Sequence, residues 1–343
     1  MSDAAVLVLG GGPAGSAAAI TAAAAGCAVT LIERDAFPRP AAGESLHPGV
    51  QPLLRQLGVE SAVLAAGFLR HAGHCVRWEG AERWQPFGAD ADGPWLGFQA
   101  WRPTFDALLL ERAREMGVTI LQPCQPTGPV LRDGRLVGVE TGLGPVRADV
   151  VVDATGRWRA LSRWLGLMWQ RRGPTRLAWY GYATGPEAAR VDTPALRADP
   201  RGWTWVARVR HETCAWTRLN FDNARPPTGW LPPELTGLVP DGPARGADVT
   251  WQVADRPAGP GYFLIGDAAA TLDPASSHGV LKALMSGISA AHLAVNVLRG
   301  AVPAGIAAEH YSQWVREWFD RDTARLGELY ALLPGPAAGS VPI

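Results

Sequence analysis

Residues 4–15 read AAVLVLGGGPAG, an apolar run that ends in closely spaced glycines. The run from Ala4 to Leu9 predicts a fully buried strand, and the alanine-rich stretch from about Pro13 to Ala25 predicts a helix. A second strand is predicted from Ala28 to Glu33. Because strand, glycine turn, helix and strand follow one another within about thirty residues, this stretch predicts a β-α-β unit.

The glycine turn has the spacing G-x-G-x-x-G, formed by Gly10, Gly12 and Gly15. In a dinucleotide-binding loop the first glycine allows the tight turn, the second lets a pyrophosphate approach the backbone, and the third lets helix and strand pack closely. Glu33, at the end of the second strand, is placed to accept hydrogen bonds from ribose hydroxyls. The alternative is a glycine-rich turn that binds nothing, and the motif alone does not separate FAD from NAD.

The composition is that of a globular protein. Of the 343 residues, 47% are hydrophobic and 19% are charged, and the formal net charge is zero. Balanced charge gives no attraction to phosphate backbones or anionic lipids, so we expect neither nucleic acid nor membrane as a partner. The four cysteines lack the spacing of metal ligands, so no metal site is expected. The first apolar run is too short for a signal peptide, and we therefore expect a cytoplasmic protein.

The length predicts two domains, or one domain with a large insertion. Nucleotide-type elements lie at both ends of the chain with β-rich segments between them, which predicts interleaved domains. We assign residues 1–70, 97–165 and 250–300 to the nucleotide-binding domain and residues 71–96 and 166–249 to a substrate domain. Residues 301–343 are then a C-terminal helical segment and tail. The stretch from Arg225 to Arg245 is dense in proline and glycine, which predicts an irregular loop.

Two further stretches carry nucleotide-type features. A buried strand ends in residues 151–156, VVDATG, where small residues let the backbone pass close to a nucleotide. Residues 262–279, YFLIGDAAATLDPASSHG, contain a strand, then Gly266 and Asp267, and then a loop that leads into a helix. Asp267 can bond a polyol hydroxyl, and the positive end of the helix can stabilise negative charge on a reduced flavin ring.

In the order of these motifs the chain resembles the superfamily of FAD-dependent aromatic hydroxylases, flavin halogenases and geranylgeranyl-reductase-like enzymes. The resemblance extends to residues 33–39, ERDAFPR, and to residues 43–46, GESL. It implies an α/β fold in which an FAD-binding Rossmann-type (glutathione-reductase-like) domain is interleaved with a β-sheet substrate domain, followed by C-terminal helices. It also implies FAD as the cofactor, bound by Gly10, Gly12, Pro13, Ala14, Gly15, Glu33, Arg34, Glu44, Ser45, Arg102, Gly156, Gly266, Asp267, Pro274 and Gly279.

The sequence departs from the halogenases in this resemblance. Halogenases need a lysine beside the substrate. In this sequence the position that matches this lysine lies near Arg70. The single lysine, Lys282, lies instead in the helix expected beside the flavin. A guanidinium stays protonated and cannot form the same adduct. The halogenase W-x-W-x-I-P signature is broken after Trp203 and Trp205. Halogenation is therefore disfavoured, and Arg70 is kept as a candidate catalytic residue.

We expect an FAD monooxygenase that hydroxylates an aromatic substrate, such as an indole or a peptidyl tryptophan, with electrons from NAD(P)H. His278, beside the expected isoalloxazine edge, is a candidate proton donor or base; the alternative is a histidine that bonds a backbone group. Trp203 and Trp205 share one strand face and predict either a stacking wall for the substrate, with His47, or core filling.

Other functions stay open. One is a flavin-dependent reductase of an isoprenoid double bond, which would need a long apolar tunnel. Another is an assembly factor for a quinone-cofactor enzyme, because residues 43–48 and 275–279 resemble flavoproteins that help to make tryptophan-derived quinones. A second G-x-G-x-x-G is absent. Electrons would then come from NAD(P)H bound transiently or from a separate reductase.

Overall fold

The computed structural model describes residues 4–333, which form an α/β fold. The helices in this range are α1 (Pro13–Ala24), α2 (Val50–Gln56), α3 (Glu60–Ala65), α4 (Arg102–Glu115), α5 (Ala160–Trp164), α6 (Gly279–Leu298) and α7 (Ala304–Ala331). Short 3-10 helices cover Gly156–Trp158, Pro186–Arg190, Pro233–Leu235, Gly266–Ala268 and Pro274–Ser276.

Residues 4–333 contain twenty-three strands, thirteen of them up to Asp153 and ten after it. Up to that point they are β1 (Ala4–Leu9), β2 (Val29–Ile32), β3 (Ser45–Leu46), β4 (Leu69–His71), β5 (Gly73–Arg77), β6 (Arg83–Pro86), β7 (Ala89–Asp90), β8 (Gly93–Pro94), β9 (Gly97–Gln99), β10 (Thr119–Leu121), β11 (Pro126–Arg132), β12 (Arg135–Thr141) and β13 (Val146–Asp153). After it they are β14 (Trp169–Arg171), β15 (Leu177–Thr184), β16 (Ala195–Asp199), β17 (Gly202–Arg210), β18 (Thr213–Asn220), β19 (Val239–Asp248), β20 (Gln252–Ala254), β21 (Ala258–Gly259), β22 (Tyr262–Leu264) and β23 (Ala270–Thr271).

The larger sheet has the strand order β10-β2-β1-β13-β12-β11, and β22 pairs with the end of β13 and with β21. Strands β10, β2, β1, β13 and β22 run parallel. Most apolar residues of β1, β2, β13 and β22 are buried, as a parallel sheet covered by helices requires. The carboxyl ends of these parallel strands meet at one edge of the sheet, which is where nucleotides bind in such folds.

Helix α1 contacts both α4 and α6. A Cβ added to Gly287 of α6 would lie 2.3 Å from the backbone oxygen of Ala14 in α1, so the two helices approach through small residues. By length and composition α6 is long and apolar enough to cross a membrane. In this structure its buried face, with Leu284 and Ala291, packs in the core.

A second sheet has the order β19-β15-β18-β17-β16-β5-β6 and is antiparallel except between β16 and β5. Two small sheets, β3-β9-β4 and β14-β20-β23, lie in the chain segments that join it to the first sheet. Helix α7 runs from beside β21 to the second sheet, where the Trp78 indole donates to the Leu329 oxygen.

The fold class expected from the sequence is confirmed. The strands of the larger sheet come from residues 4–32, 119–153 and 258–264, and those of the second sheet from residues 73–86 and 177–248. The two sheets are therefore interleaved along the chain, while the division into domains stays a prediction. The predicted tail beyond residue 333 lies outside the described residues.

One local prediction was wrong. The segment from Arg225 to Arg245 is not irregular throughout, because its last part belongs to β19, which pairs with β15. An edge strand tolerates prolines since one side of it needs no partner. Helix α4 begins at Arg102 and has Pro103 as its second residue. Proline at the second position suits the first turn of a helix, because its missing N–H would have no partner there.

Candidate active site

The glycine turn between β1 and α1 combines two kinds of glycine. A Cβ added to Gly10, which has a φ of +101°, would lie 2.5 Å from the Ala154 oxygen, and one added to Gly15 would lie 1.8 Å from the Gly10 oxygen. The protein's own packing therefore requires these two glycines. A Cβ on Gly12 would meet only the Arg39 guanidinium, at 3.5 Å. Apart from the Arg39 side chain, the space beside Gly12 is thus open to a ligand.

Glu33 is buried at the carboxyl end of β2, where its carboxylate organises the adjacent backbone. One oxygen accepts a hydrogen bond from the Gly11 N–H at 2.7 Å, and the other accepts one from the Asp35 N–H at 2.9 Å. A carboxylate has about four acceptor positions, so two remain for ribose hydroxyls. Arg34 is exposed and pairs with Asp35. Its contact with FAD stays a prediction.

The ends of β13 and β22 lie at the same edge. Asp153 is buried and accepts hydrogen bonds from the Thr155 backbone and hydroxyl and from the Leu161 N–H, although burial raises the pKa of this carboxyl. Gly156 has a φ of +60° and open space around its α-carbon. Gly266 donates its N–H to the Ser286 hydroxyl at 2.9 Å. The turn at Gly156 therefore leaves room for a ligand beside the strands.

Asp267 is accessible at this edge. Its side chain is 45% exposed and lies 3.6 Å from the Arg157 guanidinium. An exposed pair of this kind contributes about 0 to 1 kcal/mol, so it is readily exchanged for a bond to a ligand hydroxyl. The carboxylate can therefore bind a polyol without leaving a buried charge unpaired.

The loop that leads into α6 begins at Asp273 and includes Pro274 in a 3-10 turn. Ser277 has a φ of +55°, and His278 is the N-cap residue of α6 but makes no side-chain capping bond. A Cβ on Gly279 would have nothing within 4 Å. The space beside the first residue of this 20-residue helix is therefore open, and the positive end of a helix favours negative charge.

These residues fit FAD. Open space lies at Gly12, Gly156 and Gly279, and unused acceptors lie at Glu33 and Asp267, all at the edge formed by the carboxyl ends of parallel strands. Gly12 and the start of α1 would hold the pyrophosphate, Glu33 a ribose, and Asp267 with the start of α6 the flavin end. When bound, FAD supplies the redox centre of the protein.

The loop from Ala42 to Ser45 is fixed by buried charged groups. Arg102 makes two hydrogen bonds to the Asp106 carboxylate, at 2.8 and 3.1 Å, and donates to the Ala42 oxygen. The Glu44 carboxylate accepts hydrogen bonds from the Tyr182 hydroxyl and from the Gly43 N–H. Burial raises the pKa of Glu44, an effect that the bond from Tyr182 opposes. In this structure Glu44 and Arg102 act on the loop itself, and their contact with FAD stays a prediction.

Ser45 links this loop to the second sheet. Its hydroxyl donates to the Gln99 side chain at 2.7 Å and accepts the indole N–H of Trp205 at 3.0 Å. Trp205 is half-buried, and it thus lies beside the loop that the sequence assigned to the flavin.

Six half-buried rings form a chain of contacts from the start of α6 to the second sheet. The His278 ring lies 5.2 Å from the His47 ring, and His47 lies 5.3 Å from Phe87. Phe87 also contacts His71 at 5.2 Å and His74 at 5.7 Å, and His74 contacts Trp205 at 5.6 Å. We call this group the histidine-aromatic cluster: His47, His71, His74, Phe87, Trp205 and His278.

Burial keeps the cluster histidines uncharged. Burial, together with the neighbouring histidines, lowers the pKa of His74 and of His278 to about 4. Burial also lowers the pKa of His47 and of His71. Near neutral pH the imidazoles are therefore neutral, and each ring can accept one hydrogen bond and donate another.

Two of the predicted site residues, Trp203 and Arg70, make contacts in the structure that differ from those expected of a substrate wall or a catalytic group. Trp203 is fully buried and donates its indole N–H to the Tyr330 hydroxyl at 2.7 Å, so it is a core residue and not a stacking wall. Both indoles lie on one strand face, but α7 covers only Trp203. Arg70 stacks on Phe98 and donates to the oxygens of Gly97 and Leu96. Its catalytic role stays a prediction.

Sequence reasoning missed Phe87, Tyr182 and the surroundings of Asp273. Phe87 lies in a segment without periodicity, and its place is fixed by the hydrogen bond from its N–H to the Ala72 oxygen. Asp273 is buried and accepts hydrogen bonds from the Trp251 indole and from the Tyr330 hydroxyl of α7. The Asp273-Pro274 pair was the one available signal, since an aspartate before a proline often begins a turn.

Comparison with known proteins finds similar flavoproteins. The family described as FAD dependent oxidoreductase matches residues 5–159. The tryptophan 2-halogenase of Chondromyces crocatus is 32% identical, over 92% of this chain and 66% of that protein. Other similar relatives are flavin-dependent halogenases of Armillaria mellea, at 27 to 29% identity. The chain spans about two thirds of the length of the tryptophan 2-halogenase.

Solved structures agree on the fold. The flavin-dependent halogenase CmlS has a TM-score of 0.85 at 25% identity, covering 98% of this chain and 67% of that one. The peptidyl tryptophan dihydroxylase QhpG, essential for tryptophylquinone cofactor biogenesis, has a TM-score of 0.75 at 24% identity, covering 98% and 78%. Because most relatives are halogenases, the comparisons do not support the expectation that halogenation is disfavoured.

Proposed function

Since the chain belongs to the superfamily of FAD-dependent oxidoreductases that contains the flavin halogenases, we propose that it is a monooxygenase that hydroxylates an aromatic, indole-bearing substrate. NAD(P)H, bound transiently, is the proposed electron donor. The observation that carries the proposal is the histidine-aromatic cluster. It begins at the residue that caps α6 and ends at Trp205, so aromatic surface starts where the flavin end of the cofactor is expected.

The residues of the cluster suit attack by an electron-rich ring on an electrophilic oxygen atom. Phe87 and Trp205 offer edges and faces for packing an aromatic substrate. With its pKa lowered to about 4, His278 is neutral near pH 7 and acts as a base or hydrogen-bond acceptor rather than as a proton donor. The open start of α6 stabilises negative charge on its ligand.

Halogenation is the second candidate, and the identity of the relatives favours it. The position of the single lysine speaks against it. The Lys282 ammonium lies 3.4 Å from the Asp322 carboxylate and over the Trp318 ring, so α7 engages it. An ammonium held in this way is not free to carry a halogen to a substrate.

The other functions have less support. A reductase of isoprenoid double bonds would need a long apolar tunnel, whereas four histidines lie along the cluster. An assembly factor without turnover would have no use for neutral imidazoles beside the flavin end of the site.

The test uses FAD-loaded protein, oxygen, an indole-containing amide, and either NAD(P)H or chemically reduced FAD, with and without bromide. We expect a product that gains one oxygen atom and no bromine, detected by mass spectrometry. Replacing His278 by Asn should lower the rate roughly a hundredfold, the effect typical of losing a general base. The matched control is His292→Asn, an exposed histidine of the same helix.

Three results would contradict the proposal. Incorporation of bromine in place of oxygen would identify a halogenase. Product formation with reduced FAD but not with NAD(P)H would show that a separate reductase supplies the electrons. Absence of any product under both conditions would favour an assembly role.

A further inference from the structure

We propose that Phe87 is the gate of the substrate site. In this structure its ring occupies the place of the substrate ring, and it leaves that place when an aromatic ring with an N–H or O–H group enters. The inference rests on the proposed function and gives Phe87, part of the aromatic surface of the same site, a more specific role. The group that receives the entering ring is the Nε2 atom of His71.

The Phe87 ring lies at the centre of the histidine-aromatic cluster. Its centroid is 5.3 Å from that of His47, 5.2 Å from that of His71 and 5.7 Å from that of His74. A Cβ added to Gly97 would lie 3.0 Å from the Cε2 atom of Phe87, so the ring also rests on the backbone of β9. Rings at these distances are in contact and leave no room for a further ring between them. An aromatic substrate that contacts these three histidines therefore has to replace Phe87.

The Phe87 ring is carried by an exposed part of the chain. Residues 79–86 before it are exposed, and so are residues 88–95 after it, apart from the half-buried Gly93. Phe87 itself is half-buried. It is thus the side chain by which this exposed segment reaches into the cluster.

The β7-β8 hairpin that follows Phe87 bonds only to itself in the described part of the chain. The Trp95 N–H donates to the Gly88 oxygen, and the Trp95 indole donates to the Asp90 carboxylate at 2.9 Å. The Phe87 N–H donates to the Ala72 oxygen, next to β5. An exposed segment with few hydrogen bonds to its surroundings opens at a low free energy. The hairpin and Phe87 can therefore move together while the strands beneath keep their positions.

An acceptor without a donor lies beside the Phe87 ring. The Nδ1 atom of His71 is 2.9 Å from the Gly73 oxygen. Because a carbonyl oxygen only accepts, Nδ1 carries the ring proton and Nε2 is a bare acceptor. This Nε2 atom is buried and makes no hydrogen bond within residues 4–333. A Cβ added to Gly97 would lie 2.9 Å from it and 3.0 Å from the Phe87 ring, so the acceptor and the ring border the same point.

The unpaired acceptor favours exchange of Phe87 for a particular kind of ring. A buried acceptor without a partner is unfavourable, and a phenyl ring has no donor to offer it. An indole N–H or a phenol O–H in the place of Phe87 can donate to the Nε2 atom of His71. A hydrocarbon ring in that place leaves the acceptor unpaired, as Phe87 does.

The first experiment follows indole binding to the oxidised FAD-loaded protein, with stopped-flow flavin fluorescence for the rate and calorimetry for the affinity. In the unchanged protein the observed rate should level off as the indole concentration rises, because opening of the gate limits binding. In Phe87→Ala the rate should rise without this plateau, and indole should bind about tenfold more tightly, since no ring has to be displaced. The control is Trp84→Ala, an exposed aromatic residue of β6 outside the cluster, which should bind as the unchanged protein does.

The second experiment tests the acceptor with indene, which has the shape of indole but no N–H group. Phe87→Ala should bind indole about tenfold more tightly than indene. Adding His71→Leu to this variant should abolish the difference. FAD absorbance shows in each variant whether the cofactor is retained. Phe87→Leu, which keeps an apolar side chain, should also raise the plateau rate and is the second test of the gate.

Weaker indole binding by Phe87→Ala would show that Phe87 is a wall of the site, and an unchanged plateau in both Phe87 variants would show that it does not limit entry. Either result overturns the gate. Equal affinity for indole and indene would overturn the role of His71.

Binding is measured without turnover, so the two proposals can fail separately. Fast and tight indole binding by Phe87→Ala without any hydroxylated product would keep this inference and overturn the proposed function. Hydroxylation of indole, with binding that does not depend on Phe87, would do the reverse.

Discussion

At the scale of single residues, the three motif glycines differ in purpose. The packing of β1 against β13 excludes any side chain at Gly10, and the turn itself excludes one at Gly15. Gly12 has an ordinary backbone conformation, with φ at −70° and ψ at −175°, and space beside it. The fold therefore does not require a glycine at this position, and the absence of a side chain at Gly12 leaves space for the ligand.

Gly12→Ala should therefore separate binding from stability. The added methyl group occupies the space in front of α1, so the dissociation constant for FAD should rise roughly tenfold or more. The apoprotein should unfold at the same denaturant concentration to within about 0.5 kcal/mol. Fluorescence titration with FAD and urea unfolding measure the two effects. Gly305→Ala, at an open position in α7, should change neither, and a destabilised Gly12→Ala apoprotein would contradict this account.

At the scale of elements, the last turn of α7 holds the flavin-side loop. The Tyr330 hydroxyl donates to the Asp273 carboxylate at 3.0 Å and accepts the Trp203 N–H at 2.7 Å. The Arg176 guanidinium lies over the Tyr330 ring at 4.2 Å. Because Asp273 begins the loop before α6, the C-terminal helix helps to fix the position of that loop.

Tyr330→Phe should lower the free energy of unfolding by about 2 kcal/mol, because it leaves a buried indole N–H without an acceptor and Asp273 with one donor fewer. Chemical denaturation of the apoprotein measures this loss. Tyr180→Phe is the matched control, since the Tyr180 hydroxyl is half-buried and makes no hydrogen bond within the described part of the chain. Equal stability of the two variants would show that the Asp273 network does not hold α7.

At the scale of the whole molecule, buried groups link stability to pH in two opposite directions. Burial lowers the pKa of His74 and His278 from 6.5 to about 4, so below pH 6.5 the unfolded chain binds protons that the folded protein does not. This lowers stability as the pH falls from 6.5 towards 4. Burial raises the pKa of Glu44, Asp153 and Asp273, so these carboxyls lower stability as the pH rises above their usual values near 4.

The histidine contribution can be isolated with His74→Leu. Losing one such group should reduce the dependence of unfolding free energy on pH between 4.5 and 6 by up to about 1.4 kcal/mol per pH unit. Urea unfolding of the apoprotein at several pH values gives this slope. An unchanged slope, relative to the exposed-site control His211→Leu, would mean that His74 is not held neutral by burial.

The sequence by itself determined the cofactor side of this protein. The strand-glycine-helix unit, the acidic residue after β2 and the turns after β13 and β22 depend on local backbone geometry and on neighbours close in sequence. Spacing could therefore predict the turn glycines Gly10, Gly12 and Gly15 and the interleaved arrangement. FAD and the role of Gly266 came from the resemblance to the superfamily.

Only the tertiary structure decided which residues come together at the proposed substrate site. The histidine-aromatic cluster gathers rings from five separate segments, and no period in the sequence relates Phe87 to His278. Alternation placed Trp203 and Trp205 on one face correctly but could not show that α7 covers the first and leaves the second beside Ser45. A strand pattern fixes the direction in which a side chain points, whereas its burial and chemistry depend on elements packed against it from elsewhere in the chain.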